Sequence, residues 1–514
     1  MTLIQDALRR NARDRPAHIA LVEGDGQVSY AELWSLVGRA AAWLAGRVDR
    51  GDRVGLMLGN SVDAVVWLYG VVSAGAIAVP IDADAQPKSL ARVLDDSGAR
   101  LLVVSERLAE RAAAGALPDA CRLVVAGDEL PPAAAPAASG PGPGGTGADA
   151  GTVENRAGRD PRRAACILYT TGTTGAPKGV ILTHANLLAA TATINAFMQP
   201  ADWIVESLPM RLSHSFGFAR LRSALAVGGT AILEEGLVRV GPLFERMRQH
   251  GVNAFASVPA GFALLLDAYL EPFRSVGPAL RLIEIGSAPM PRRHKALLAE
   301  CCPNARICMH YGLTEASRAC FLDFAADAAS LDSVGRPSPG VSLRIVTDDG
   351  RPASPGEAGE IQIRGGMVTP GVWGRPDLTR EAFADGWLRT GDLGSADEAG
   401  YVHLAGRRGD VLNLGGFKVA PAEIEERLRE FDGVADAAVT LTREDQDGTP
   451  RLTALLVARP PSHAIDTAGL RAFCLETLEA WKVPSAFALV PSLPRTPSGK
   501  LQRHLLPGLR SESS

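Results

Sequence analysis

An α/β fold, with a large N-terminal body of more than one subdomain and a smaller α+β C-terminal domain, is what this sequence predicts from three observations. Helical and strand patterns alternate through the first part of the chain, 514 residues exceed what one core ordinarily holds, and the texture changes after Asp392. Ser29 and Glu32 have capping-box spacing ahead of a helix that holds Leu33 and Val37, and Val54 to Leu58 reads as a compact strand. Ala64 to Ile81 imitates a membrane span, being free of charge and about 18 residues long, the minimum for one. Its punctuation predicts a buried helix and a core strand instead: Gly75 ends the helix, Ala76 to Val79 is a short β run, and Pro80 stops it. From Leu130 to about Asp160 the chain is rich in Pro, Gly and Ala and offers little to bury, which predicts a disordered insertion over 131–160. Ala164 to Tyr169 is again an apolar run of strand length. Beyond Asp392 turn-rich strands give way to an amphipathic helix starting near Pro421, so the boundary is set at Gly409, with domains over 1–408 and 409–514.

Lys plus Arg number 53 against 57 for Asp plus Glu, a net charge of −4. No global basic field exists to attract nucleic acid or anionic lipid, so the expected partners are small molecules or a protein. The seven cysteines lack the spacing of a secreted disulfide domain, and the charged N-terminus is unlike a signal peptide, so the expected location is a reducing cytoplasm. Cys301, Cys302 and Cys308 with His310 nearby suggest a metal cluster, but no C-x-x-C pair is present and structural thiols are expected.

Tyr169 to Val180 reads YTTGTTGAPKGV: hydroxyls, glycines that let backbone amides face an anion, and one lysine as counter-charge. This is phosphate chemistry without the Walker A spacing, because Pro177 precedes Lys178 and Gly179 follows it. The segment resembles the signature of the class I adenylate-forming superfamily, which includes acyl-CoA synthetases, luciferase-like enzymes and peptide-synthetase adenylation domains. Gly286 to Met290 (GSAPM), Tyr311 to Ser317 (YGLTEAS), Thr390 to Leu393 (TGDL), Gly406 to Glu425 and Pro494 to Arg503 (PRTPSGKLQR) follow in the family's order. The resemblance is greatest to bacterial acyl-CoA synthetases.

What the resemblance implies is two stacked α/β sheets plus a distorted β-barrel in the body, a mobile C-terminal domain, and activation of a carboxylic acid by ATP with Mg²⁺. An acyl-adenylate forms, pyrophosphate leaves, and the acyl group passes to coenzyme A or, alternatively, to a separate acyl carrier protein. A non-catalytic nucleotide-binding protein on this fold is the reading of another class. The implied roles place Thr170, Thr171, Gly172, Thr173, Thr174 and Lys178 around the phosphates, Gly286, Ser287, Ala288, Tyr311 and Gly312 at the adenine, and Thr314 at the α-phosphate. Glu315 holds Mg²⁺, as a hard cation bridging phosphates requires. Asp392 and Arg407 take the ribose, and Lys500 is the catalytic lysine that approaches both the carboxylate and the α-phosphate. Gly409 occupies the hinge, where Asp or Lys is usual, so a side chain that biases the two orientations is missing.

For the acid, His214 with Phe216 and Gly217 resembles the family's H-x-F-G core, with His214 near the reacting carboxylate, although Arg211 and Leu212 depart from the usual aromatic approach. Between Leu208 and Leu221 there is no Asp to pair with a substrate ammonium, which disfavours an amino acid. Phe216, Phe218, Val258, Gly261, Phe262, Gly286, Gly312 and Ala316 are the expected walls, mostly apolar and suited to a bulky hydrophobic acid.

Overall fold

Five parallel strands and one antiparallel edge strand form the sheet that presents the phosphate loop. In spatial order they are Arg122–Val125, Ala99–Val104, Arg53–Met57, Ile77–Pro80, Ala164–Thr171 and Pro177–Thr183. The computed structural model describes residues 2–113, 117–129, 159–171, 177–237, 239–410, 412–414, 417–419, 421–443, 450–459, 465–476, 478, 482–496, 499 and 501–509. The expected insertion at 131–160 therefore lies outside the described residues except for Arg159 and Asp160, and Asp160 accepts the backbone N–H of Arg162 at 3.0 Å.

A second sheet has nine strands and begins and ends antiparallel around a parallel centre. Its functional half runs Ala254–Ser257, Leu282–Gly286, Arg306–Leu313 and Ser317–Asp323. Between the two sheets lie the helices Tyr30–Ala45, Val62–Ser73 and Ser215–Val227, and one apolar core joins residues of both sheets to all three. This explains the membrane-like composition: every residue from Ala64 to Ser73 is buried, because a helix between two sheets is covered all round. Gly75 takes φ +85° just after that helix, and Ile77–Pro80 follows as a core strand, both as the punctuation predicts. Ser29 and Glu32 form the expected capping box. Among the described residues no helix is long and apolar enough to cross a membrane.

The part of the body expected as a distorted β-barrel is made of five antiparallel strands, Val341–Val346, Gly359–Gly365, Phe383–Ala384, Trp387–Ala396 and Val402–Arg407. The strands of these three sheets all precede residue 408. The sheets of Leu412–Leu414 with Phe417–Val419, and of Val434–Arg443, Pro450–Ala458 and Ala486–Leu489, all follow it. Helix Pro421–Glu430 opens the smaller unit and buries Ile424 and Leu428 against this last sheet. All seven cysteines are buried and unpaired, and no cluster of metal-ligating side chains occurs among the described residues.

Candidate active site

The strand register brings residues of separate motifs together. Asp392 lies opposite Arg407 in the antiparallel pair Trp387–Ala396 and Val402–Arg407. Arg407 Nε donates to Asp392 Oδ1 at 2.8 Å, and Tyr311 Oη, from the nine-stranded sheet, donates to Oδ2 at 2.6 Å. One bond on each oxygen leaves further lone pairs for two ligand hydroxyls. Burial, reinforced by the Asp392 charge, pushes the Tyr311 phenol well above its ordinary range, so it remains a donor.

The turn after Tyr311 is sterically determined. A Cβ on Gly312 would fall 1.7 Å from the Ser317 carbonyl oxygen, and Ser317 itself takes φ +49°. This tight return carries Thr314 and Glu315 out of the sheet. The Glu315 backbone is pinned by Thr369 N–H at 2.8 Å, while among the described residues no side chain pairs with its carboxylate. A half-buried oxygen anion held by its backbone alone suits a hard cation. On the neighbouring strand end, a Cβ at Gly286 would fall 2.0 Å from the His310 ring, and Ser287 takes φ +78° with Ser287 and Ala288 exposed. Ser287 and Ser317 thus both hold positive φ at strand ends of the nine-stranded sheet, a local backbone strain.

The phosphate segment is a hairpin rather than the strand-to-helix turn of a Walker loop: Thr170 pairs with Lys178 across Ala164–Thr171 and Pro177–Thr183. Gly172, Thr173 and Thr174 lie outside the described residues, as does the Thr171 side chain.

His214 sits at the N-terminus of helix Ser215–Val227, and its Nε2 is 3.1 Å from Asp82 Oδ2. Arg211, the departure from the family's usual approach, also ion-pairs with Asp82 and reaches Asp84 at 2.6 Å. Burial opposes the charge on Asp82, but the His214 hydrogen bond, the Asp84 N–H and Arg211 outweigh it and hold the carboxyl at about 2. Asp82 carries no motif signal; only the fold brings residue 82 to residue 214.

The expected acid walls divide. Phe216 stacks edge-on against His310 with ring centroids 4.9 Å apart and carries the Arg318 guanidinium over its face at 4.9 Å. Phe218 and Ala316 are buried, and Phe262 is buried against Phe255 in the core of the nine-stranded sheet. Gly261 is required where a Cβ would fall 2.2 Å from Ser257 Oγ, and Val258 is half-buried beside it. Behind Phe216 lies charge: Glu284 accepts from Arg318 at 2.9 Å, meets Arg220 at 3.1 Å, and lies 2.7 Å from His310 Nδ1 without an aligned hydrogen bond. The surroundings of the pocket are thus more polar than the sequence suggests.

At Gly409 a Cβ would meet nothing within 4 Å, so space does not demand glycine there. Lys500 lies outside the described residues. The end of its motif does not: Arg503 donates through two nitrogens to buried Glu425 at 2.8 Å each and reaches Asp410 at 3.2 Å. This anchor was missed in the sequence, although Glu425 and Arg503 both fall inside quoted motifs.

A Thr- and Gly-rich hairpin, a carboxylate held by Tyr311 and Arg407 and, beside it, a carboxylate unpaired among the described residues sit on the fold of an adenylate-forming enzyme. The chain belongs to the AMP-binding enzyme family, whose model matches residues 8–373, with the AMP-binding enzyme C-terminal domain matching 423–500. It is 33% identical to a sulfoacetate–CoA ligase of Cupriavidus necator over 91% of this chain and 89% of that one. It is 32% identical to a 2-succinylbenzoate–CoA ligase of Geobacillus kaustophilus over 98% of each. A benzoate CoA ligase structure from Burkholderia xenovorans superposes with a TM-score of 0.86 at 26% identity, covering 99% of this chain and 100% of that one.

Proposed function

We propose that the protein is an AMP-forming acyl-CoA synthetase: with ATP and Mg²⁺ it joins a carboxylic acid to AMP, releases pyrophosphate, and passes the acyl group to coenzyme A. The observation that carries this reading is Asp392, held by Tyr311 and Arg407 with acceptor capacity to spare, beside a Glu315 carboxylate unpaired among the described residues. In this reading Asp392 accepts the ribose hydroxyls, the Tyr311 ring lies on adenine, and Thr314 donates to the α-phosphate. Glu315 holds Mg²⁺, which supplies charge neutralisation at the phosphates when bound. Lys178 and the hairpin hydroxyls hold the departing pyrophosphate, and Lys500 stabilises charge as the carboxylate attacks phosphorus. His214, its ring fixed by Asp82, faces the acid. Gly409 lets the smaller domain turn between the two half-reactions. The CoA ligases among the relatives support CoA as acceptor, and the buried, unpaired cysteines support a reducing cytoplasm.

The test is acid-dependent pyrophosphate exchange over a carboxylic acid panel, followed by thioester formation with CoA or a holo-carrier protein. Lys500→Ala is expected to lose exchange while still converting a supplied acyl-adenylate to thioester. Normal exchange in that variant, or thioester on the carrier alone, would overturn the assignment of the lysine or of CoA respectively.

A further inference from the structure

Arg220, Arg318, Glu206 and Glu284 form a network of charge buried between helix Ser215–Val227 and the nine-stranded sheet. Arg220 Nε and Nη2 donate to Glu206 at 2.6 and 2.8 Å, and its Nη1 lies 3.1 Å from Glu284. Arg318, 2% exposed, donates through Nε and Nη2 to the two oxygens of Glu284, 1% exposed, at 2.9 and 3.3 Å. Two cations thus face two anions. Taking four charges out of water is costly, and apolar side chains in such a place are often as stable or more so. Stability alone therefore does not account for the network, whereas the relative position of the segments it joins does.

Arg318 reaches three segments that carry the proposed reaction. It follows Ser317 and so closes the tight return that bears Thr314 and Glu315. Its partner Glu284 lies two residues before Gly286 on strand Leu282–Gly286, and stands 2.7 Å from Nδ1 of His310, the neighbour of Tyr311. Its guanidinium lies 4.9 Å from the centroid of the Phe216 ring, two residues after His214 at the start of helix Ser215–Val227. His310 closes the group from the side, its ring edge-on to Phe216. We propose that Arg318, acting through Glu284 and Phe216, is a positioning residue for acyl-adenylate formation: it sets the spacing between the turn of Thr314 and Glu315 and the helix start at His214. That spacing governs how the carboxylate approaches the α-phosphorus, so the proposal rests on the ligase reading above and deepens it. Asp392 holds Tyr311 and Arg407 by bonds that the network does not share. A shift of about 1 Å between reacting groups costs on the order of 100-fold in rate, so the effect belongs in kcat and not in the KM for ATP.

The full-length enzyme is assayed by acid-dependent pyrophosphate exchange over the acid panel, and by conversion of the supplied acyl-adenylate to thioester. Arg318→Met is expected to lower kcat for exchange by roughly 10- to 100-fold with the KM for ATP unchanged. It should still convert the supplied adenylate at near the natural rate, because the bond between acyl group and phosphate is already made. Arg318→Lys keeps the charge without the planar fork and should recover part of kcat. Because R318M strands charge on Glu284, it is compared with the double variant Arg318→Met, Glu284→Gln, in which Arg220 stays matched by Glu206. The double variant should melt at or above the temperature of R318M and yet keep the low kcat, which a purely structural role would not produce. Natural exchange in folded R318M overturns the proposal, as does a double variant whose kcat returns to the natural value. So does a loss that lies in the KM for ATP, or one that is equally deep in thioester formation. Where R318M does not fold, the double variant and R318K decide by the same criteria. A natural protein that exchanges with no acid of the panel sinks the ligase reading and the proposal together, whereas an active natural protein with equally active variants sinks the proposal alone.

Discussion

Asp392 is the residue on which the proposed nucleotide site turns, since it joins a tyrosine of one sheet to an arginine of another. Asp392→Asn keeps the shape but weakens the bond to Arg407 and the acceptor for the ribose. The KM for ATP in pyrophosphate exchange is expected to rise about 10- to 100-fold, with an unchanged melting curve showing that the fold is intact. Asp82 carries a pH prediction. Its folded pKa of about 2 lies below the unfolded value near 3.9, so its contribution is present above about pH 4 and lost as pH falls toward 2. Urea denaturation should find Asp82→Asn about 2 kcal/mol less stable than the natural protein at pH 6, with the gap closing below pH 3. Acid kcat/KM should fall in the same variant, because His214 loses its fixed orientation.

At the scale of the element, helix His184–Met198 begins with a capping box of Thr183 and Asn186 and is tied to the N-terminus through His184, whose Nδ1 accepts the Ile4 N–H at 3.3 Å. Burial, and then the nearby Arg163, push this imidazole down to about 4. The unfolded chain, with His near 6.5, therefore binds more protons between pH 4 and 6.5, and stability declines as pH falls through that window, by up to about 3 kcal/mol. Substituting His184→Gln should flatten the stability profile between pH 4 and 6.5 in urea titrations. A profile as steep as before would refute the assignment of the titration to this residue.

At the scale of the molecule, the ion pair of Arg503 with Glu425 ties the end of the C-terminal motif to helix Pro421–Glu430. Arg503→Met leaves Glu425 with the Val439 N–H at 2.8 Å and Arg429 at 3.8 Å, so the variant is expected to lose about 1 to 3 kcal/mol of stability in the smaller domain. Its kcat for exchange should drop while ATP affinity, measured by calorimetry, stays the same. A loss of ATP affinity instead would show that Arg503 acts within the nucleotide site.

Local pattern alone determined the helices and strands around Ser29, Ala64 to Ile81 and Pro421, because caps, glycine stops and apolar periodicity are properties of neighbouring residues. The ordered motifs likewise carried the identity of Tyr311, Asp392 and Arg407, whose spacing in the chain is distinctive even though each is ordinary by itself. What only the tertiary structure decided is pairing across distance. Asp82 meets His214 across 132 positions, and Glu425 meets Arg503 across 78. Glu206 and Glu284 converge on Arg220, while among the described residues no carboxylate pairs with Arg222. Charges on separate elements carry no periodic signal, and which of them share a low-dielectric interior depends on how sheets and helices stack. For that reason the sequence set out the motifs of activation, while the pairing of buried charges emerged only from the folded core.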